Sequence, residues 1–106
     1  MRYSTLLLIT LLPLAFTLQS CKSKTQLDAE QGHASAQYQL GMQYANGEGL
    51  EASNIYAYMW WSFSAAQGFE KANISKLAIE KKMSSSEIQA AKKLSKDCEK
   101  KYYIDC

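Results

Sequence analysis

The chain has 106 residues, and its 12 basic and 10 acidic side chains leave a formal charge of +2 at neutral pH. Nucleic-acid binding usually requires a clustered basic surface, so this balance argues against a nucleic-acid partner. The length is sufficient for one small domain with a core of limited volume.

The first 20 residues have the pattern of a secretory signal. Arg2 precedes an almost wholly apolar run from Thr5 to Leu18, and the small residue Ser20 closes it. The run has about 14 residues, fewer than the roughly 20 that span a bilayer as a helix, and Pro13 interrupts it. We therefore predict a cleaved signal peptide over residues 1–20, with an uncleaved anchor helix as the alternative.

The end of this segment, Leu-Gln-Ser-Cys at positions 18–21, resembles the lipobox of bacterial lipoproteins. Gln19 departs from the small or β-branched residue that is usual there. The resemblance implies cleavage before Cys21 and attachment of diacylglycerol and palmitate to it, and two or three acyl chains hold a protein stably to a bilayer. Lys22 is not the aspartate that retains such proteins in the inner membrane of enteric bacteria. An ordinary exported cysteine is the alternative for Cys21.

After a short polar tether at residues 21–27, the sequence predicts four helices. Ser53 is a suitable N-cap, Gly68 a suitable C-cap, and the Asn-Gly-Glu-Gly stretch at 46–49 is a strong turn signal. Ser84 and Glu87 form a capping box pattern before the last helix. The predicted helices, named A to D, cover residues 28–45, 54–67, 70–82 and about 84–98.

Apolar spacing predicts which faces of these helices are buried. Ala36, Leu40 and Tyr44 lie on one stripe of helix A, whereas helix B is apolar nearly all round and should be covered on several sides. In helix C the corresponding stripe contains Ile74 and Leu77, together with Ala78 and Met83. We expect these stripes to form the core.

Two stretches resemble the Sel-one-like repeat, a helix-turn-helix relative of the tetratricopeptide repeat. They are AEQGHASAQYQLGMQYANGEGL at 29–50 and AYMWWSFSAAQGFEKA at 57–72. The resemblance implies an all-α fold of about four antiparallel helices, with one full and one partial repeat in residues 28–83. Residues 84–106 resemble the capping helix and cysteine tail that close short exported members. Such repeats bury their faces by stacking, although this array is too short for a deep groove.

If Cys21 carries the lipid, two cysteines of the chain remain to be explained. Cys98 and Cys106 are then an even pair, and an oxidising periplasm favours a disulfide between them. A metal site would need more ligands, and the single histidine, His33, lies far away in sequence. We therefore expect neither a metal nor another cofactor.

Groups that could carry catalysis are sparse. No serine has a lysine three positions later, the pattern that β-lactam chemistry would need, and the glycine-containing turn at 46–49 does not resemble a phosphate-binding loop. The sequence therefore favours a non-enzymatic protein. An envelope hydrolase that acts on β-lactams or on the cell wall, or an accessory of one, is the alternative.

The aromatic cluster of helix B allows two interpretations. It can form the core of the domain, or Tyr58, Met59 and Trp61 can stay partly exposed and anchor a partner. The lysines late in the chain can likewise form a solvated face or contact anionic headgroups. The resulting hypothesis is a membrane-tethered scaffold that binds an unidentified envelope protein, with its lipid anchor in the outer membrane and its domain in the periplasm.

Overall fold

The computed structural model describes residues 21–106, and within them the chain forms five helices and no strand. The predicted all-α class is thereby confirmed, with one helix more than predicted. The signal-peptide prediction for residues 1–20 lies outside the described residues. The helices are α1 (Lys24–Glu30), α2 (Ala34–Asn46), α3 (Asn54–Ala66), α4 (Glu70–Glu80) and α5 (Ser85–Lys100).

The additional helix, α1, lies where the sequence predicted a tether. Ser23 caps it: its hydroxyl accepts a hydrogen bond from the Gln26 backbone N–H at 3.2 Å, and the Gln26 side chain accepts one from the Ser23 N–H at 2.8 Å. These reciprocal bonds satisfy two donors that would otherwise lack partners. The prediction of a tether over residues 21–27 is wrong, because a capping box can start a short helix in a polar stretch. The link between Cys21 and α1 shortens to two residues.

Helix A of the prediction is in fact two helices, α1 and α2, separated by a sharp turn. Gly32 at the turn has φ +93°, a conformation that glycine adopts without strain. The buried stripe of α2 includes Ala36 and Leu40 as predicted. The break was missed because the small residues around Gly32 fit a continuous helical period.

Helices α2 and α3 form a closely packed pair. A Cβ atom on Gly41 would lie 2.5 Å from the Trp61 indole, so this approach requires glycine. Between the helices, Gly47 adopts the left-handed C-cap conformation at φ +70°, and the Ser53 hydroxyl accepts a hydrogen bond from the Tyr56 N–H at 3.2 Å. The predicted turn and N-cap are confirmed.

Helix α3 is the centre of the domain, because α2, α4 and α5 all pack on it. One side of α3 joins a cluster with α1, α2 and the C-terminal tail, and the other side joins a cluster with α4 and the first half of α5. The expectation that this helix is covered on several sides is confirmed. Its buried residues are Ala57, Tyr58, Met59, Trp60, Trp61, Phe63 and Ser64.

The predicted core stripe of helix C is confirmed at Met83 but wrong within α4, where Ile74, Leu77 and Ala78 are exposed. Ile74 is 60% exposed and Leu77 is 49% exposed, whereas Ala72, Ile79 and Met83 are buried. Helix α4 packs mainly on α3 and does so through the opposite face, where Ala72 and Ile79 are buried. Apolar spacing identified a face of the helix but could not identify which face has a neighbour.

Helix α5 begins with the predicted capping box, in which the Ser84 hydroxyl accepts from the Glu87 N–H at 3.1 Å and Glu87 accepts from the Ser84 N–H at 3.0 Å. Ala91 and Cys98 face the core. Cys98 is joined to Cys106 by the predicted disulfide, with the two Cα atoms 5.5 Å apart. The bond folds residues 101–106 back against the body of the domain.

Two junctions between helices share one geometry, 36 positions apart in the chain. Before α2, the N–H of Gly32 donates to Ala29 and that of His33 donates to Asp28, at 3.0 and 3.1 Å. Before α4, the N–H of Gly68 donates to Ala65 and that of Phe69 donates to Ser64, at 2.9 and 3.2 Å. Both glycines have positive φ, at +93° and +88°. The same local turn therefore occurs twice.

Candidate anchor site and interaction surfaces

Cys21, the predicted lipidation site, is exposed, and its sulfur is free within the described residues. Its neighbour Lys22 is held in place by two ion pairs, to Glu30 at the end of α1 (2.8 Å) and to Asp105 in the C-terminal tail (2.5 Å). The backbone N–H of Asp105 also donates to the Glu30 carboxylate at 3.4 Å. The beginning of the described chain, the end of α1 and the tail therefore meet beside Cys21.

These contacts shift the pKa values of the partners in opposite directions. The hydrogen bond to Asp105, and then the one to Glu30, raises the pKa of the Lys22 ammonium above its ordinary value. The hydrogen bond from Lys22 in turn lowers the pKa of the Asp105 carboxyl. Both groups are solvent-accessible, so salt screens their attraction and the contribution to stability is small.

The directions of these shifts predict how the tail responds to pH. Because the pKa of Asp105 is lowered on folding, its contact is fully present above its ordinary pKa and is lost as pH falls below about 4. Because the pKa of Lys22 is raised, its contact is present below its ordinary pKa and is lost as pH rises beyond about 10.4. We expect the NMR signal of the Asp105 amide to be constant between these limits and to move outside them.

Lys22→Gln provides the control for this pH dependence. The variant keeps a polar side chain but has no charge, so the tail signal should already differ at neutral pH and should respond less to acid. An Asp105 signal in the variant that matches the original chain at every pH would show that the ion pair does not hold the tail.

The tail itself has an unusual backbone. Tyr102, Tyr103 and Asp105 all have positive φ, between 53° and 67°, a region that costs energy for residues other than glycine. The disulfide holds one end of this segment, and the Tyr103 ring packs on Phe63 with a centroid distance of 4.9 Å. The covalent bond and the aromatic contact hold the segment in this conformation.

The three residues predicted as possible partner anchors lie in the core. Tyr58 is 3% exposed, Met59 is 0% exposed and Trp61 is 4% exposed. The Tyr58 hydroxyl donates to Glu80 at 2.9 Å, and the Trp61 Nε1–H donates to the Tyr38 carbonyl at 3.1 Å. The hypothesis that these residues are exposed and anchor a partner is therefore wrong. Helices on several sides of α3 cover its aromatic residues.

Tyr58 links α3 to α4 as a neutral donor. Burial, and then the hydrogen bond to Glu80, raises the pKa of its hydroxyl to about 12. The Lys76 ammonium lies over the Tyr58 ring, 5.8 Å from its centre. The phenol therefore stays protonated at neutral pH and acts as a fixed structural contact.

Sequence reasoning overlooked two glutamines that connect the repeated junctions. Gln37 is fully buried; its Nε2 donates to the Ala29 carbonyl at 3.3 Å, and its Oε1 accepts from Gln67 Nε2 at 2.8 Å. The Ser64 hydroxyl donates to the Ala34 carbonyl at 2.7 Å beside them. The Gln-Gly pair that precedes both turns was the sequence signal that could have drawn attention to Gln67.

Two shallow concavities share Leu50 in their linings, and one of them contains Cys21. One, of about 490 Å³, is lined by the stacked rings of Tyr44 and Tyr56 and by Leu50, Ser53 and Cys106. Burial raises the pKa of Tyr44 in this wall. The Ser53 hydroxyl already accepts the capping hydrogen bond of α3, so it is held in a structural contact.

The second concavity, of about 450 Å³, includes Cys21, Lys22 and Leu50 in its lining. Leu50 thus separates the two depressions. Apart from Leu50, the side chains around Cys21 in this second concavity are mainly polar, among them Gln43 and Glu48.

His33 lies at the N-cap position of α2, is exposed and makes no capping hydrogen bond with its side chain. Within residues 21–106, no three His, Cys, Asp or Glu side chains come together in an arrangement that could hold a metal ion. In the same part of the chain, no helix has the length and apolar character needed to cross a bilayer.

Comparisons of the chain with family models, with curated proteins and with solved structures give no match.

Proposed function

We propose that the protein is a non-catalytic interaction module of the bacterial envelope, tethered to a membrane by lipid on Cys21. In this proposal the helical domain is a Sel-one-like repeat of the tetratricopeptide type. It holds or modulates another envelope protein close to the bilayer. The observation that carries the proposal is an exposed Cys21, directly after the lipobox-like Leu-Gln-Ser, at the surface of a helical domain.

The short link to α1 gives the anchor a geometric consequence. Lys22 and Ser23 can span at most about 7 Å, and Lys22 is held by Glu30 and Asp105. A lipidated Cys21 would therefore keep the end of the domain that carries the C-terminal tail close to the membrane surface. The partner would be bound by the faces that point away from it.

The repeated junction supports the assignment to a repeat family. The turns at Gly32 and Gly68 use the same hydrogen bonds at an interval of 36 residues, a period in the range of helical repeats. Gly41 permits the close approach of two antiparallel helices, as the family pattern implies. Repeats of this kind present helix faces to other proteins, which favours a binding role.

The proposed location is the outer membrane, with the domain in the periplasm. Lys22 stands at the position where aspartate would retain a lipoprotein in the inner membrane of enteric bacteria. The disulfide between Cys98 and Cys106 fits an oxidising compartment.

In-cell photo-crosslinking tests the binding role. A photoreactive amino acid is placed at exposed positions of different elements, such as Leu27 of α1, Gln39 of α2 and Gln89 of α5. We expect one envelope protein to be captured from a subset of these positions. The capture should decrease when Cys21→Ala removes the anchor.

Crosslinks that are equally strong at every position, or that are unchanged in Cys21→Ala, would contradict a specific tethered interaction. Turnover of a β-lactam or cell-wall substrate, abolished by one serine or glutamate substitution, would favour the hydrolase alternative instead.

A further inference from the structure

One face of α4 carries a straight row of four exposed residues, Glu70, Ile74, Leu77 and Lys81. Their spacing of four, three and four places them on one side of the helix. Ala72 and Ile79 lie on the other side and are buried against the rest of the domain. The row therefore points away from the body of the protein.

The charged ends of the row have no partner within the described part of the chain. Glu70 and Lys81 form no ion pair with any residue of 21–106. Glu70 lies in the first turn of α4 and Lys81 at its C-cap, so each charge also interacts favourably with the helix dipole. Between them, Ile74 and Leu77 expose apolar surface to solvent.

Two copies of this row complement each other when they lie antiparallel. When a second α4 lies antiparallel and Ile74 of one copy faces Leu77 of the other, Glu70 of each copy faces Lys81 of the other. A twofold axis between the helices produces both apolar contacts and both ion pairs at the same time, as in an isologous interface. We propose that this row binds the same row of a second copy of the chain.

The size of the row sets the strength of this association. One pair of short helices buries less than the roughly 1,200 Å² of a standard protein interface, which places the contact in the weak and transient class. The charges fix the antiparallel register and disfavour the parallel one, in which like charges would meet. The inference goes beyond the proposed function and does not require the lipid anchor, although tethering to one surface would raise the local concentration.

Zero-length crosslinking of the purified full chain tests the contact directly. A carbodiimide joins a carboxylate to an amine with loss of water, and it requires the two groups to touch. Glu70 and Lys81 of one chain are about 16 Å apart along α4, because each residue adds about 1.5 Å. A peptide in which Glu70 is linked to Lys81 must therefore come from two chains, and we expect it in the covalent dimer.

Charge reversal supplies the matched variants. Sedimentation equilibrium measures their dimer yield, because it needs no reactive carboxylate and amine. Glu70→Lys and Lys81→Glu should each reduce this yield by about tenfold, because each converts both ion pairs into repulsions. The double variant should recover the yield. A mixture of the two single variants should form mixed dimers, since one copy then carries only positive charges in the row and the other only negative charges. Lys93→Glu, on the exposed side of α5, should leave the yield unchanged.

Three outcomes would overturn the proposal. They are a chain that stays monomeric at every concentration tested, a dimer without the link between Glu70 and Lys81, and single variants that dimerise as well as their mixture. A row that binds only a different protein would give the first of these outcomes.

Discussion

Replacing Gly41 with alanine should lower the free energy of unfolding by about 2–3 kcal/mol, the cost of inserting an atom into a well-packed core. The new Cβ would lie 2.5 Å from the Trp61 ring. The indole cannot move aside easily, because it is 4% exposed and its Nε1–H is bonded to the Tyr38 carbonyl. Alanine favours the helix over glycine by about 1 kcal/mol. The measured loss of stability is therefore the cost of the clash minus this gain.

Chemical denaturation followed by circular dichroism measures this change, with Gln39→Ala as the control. Gln39 lies on the exposed side of α2, so its replacement should alter stability by less than about 0.5 kcal/mol. For a domain of this size, the loss of stability in Gly41→Ala corresponds to a thermal unfolding midpoint that is lower by about 10–20 °C. A Gly41→Ala protein as stable as the original would show that α2 and α3 do not approach as closely as described.

Reduction of the disulfide between Cys98 and Cys106 should destabilise the domain by about 2–3 kcal/mol, the effect of opening a short loop in the chain-entropy description. Cys98 is buried in the cluster that also contains Phe63. The tail that ends at Cys106 has strained backbone at Tyr102 and Tyr103. Without the covalent bond, the strain favours release of the tail and, with it, loss of the Lys22–Asp105 contact.

Urea unfolding with and without reductant measures the effect. The double variant Cys98→Ala/Cys106→Ala is the control, because its stability should be lower and should not respond to reductant. Helices α2 to α4 should persist in the reduced protein, since the buried cluster that joins α3 to α4 contains neither cysteine. An unchanged unfolding midpoint after complete reduction would contradict a stabilising role for the bond.

The parts of the fold that could be predicted from the sequence are those that local chemistry determines. Ser53 and the Ser84–Glu87 box start helices because their oxygens accept backbone N–H groups within a few residues. Gly47 and Gly68 end helices because they adopt positive φ without strain. Each of these signals needs no knowledge of distant parts of the chain.

The errors concern interactions between helices. Ile74 and Leu77 have the spacing of a buried stripe, yet they are exposed because α3 packs on the other side of α4. For Tyr58 and Trp61 the sequence allowed either burial in the core or exposure to a partner. A helix that is apolar all round does not reveal how many neighbouring helices cover it. Their burial depends on three other helices meeting at α3.

Lipidation of Cys21 stays a prediction from the lipobox resemblance of four adjacent residues, and the exposure of Cys21 is compatible with it. The ion pairs from Lys22 to Glu30 and Asp105 could not be predicted, because Asp105 lies 83 positions away in the chain. The short link to α1 was missed because its cap lies in a polar stretch without an apolar period.

Fractionation of cells that make the original chain or Cys21→Ala, with labelled palmitate in the medium, tests the central claim most directly. We predict that the original chain carries the label and stays in the membrane fraction. Cys21→Ala should lose the label and should either leave that fraction or accumulate unprocessed, whereas Cys106→Ala should keep both label and location. Full membrane retention of a processed Cys21→Ala protein, or a label that persists on it, would contradict a lipid anchor at Cys21.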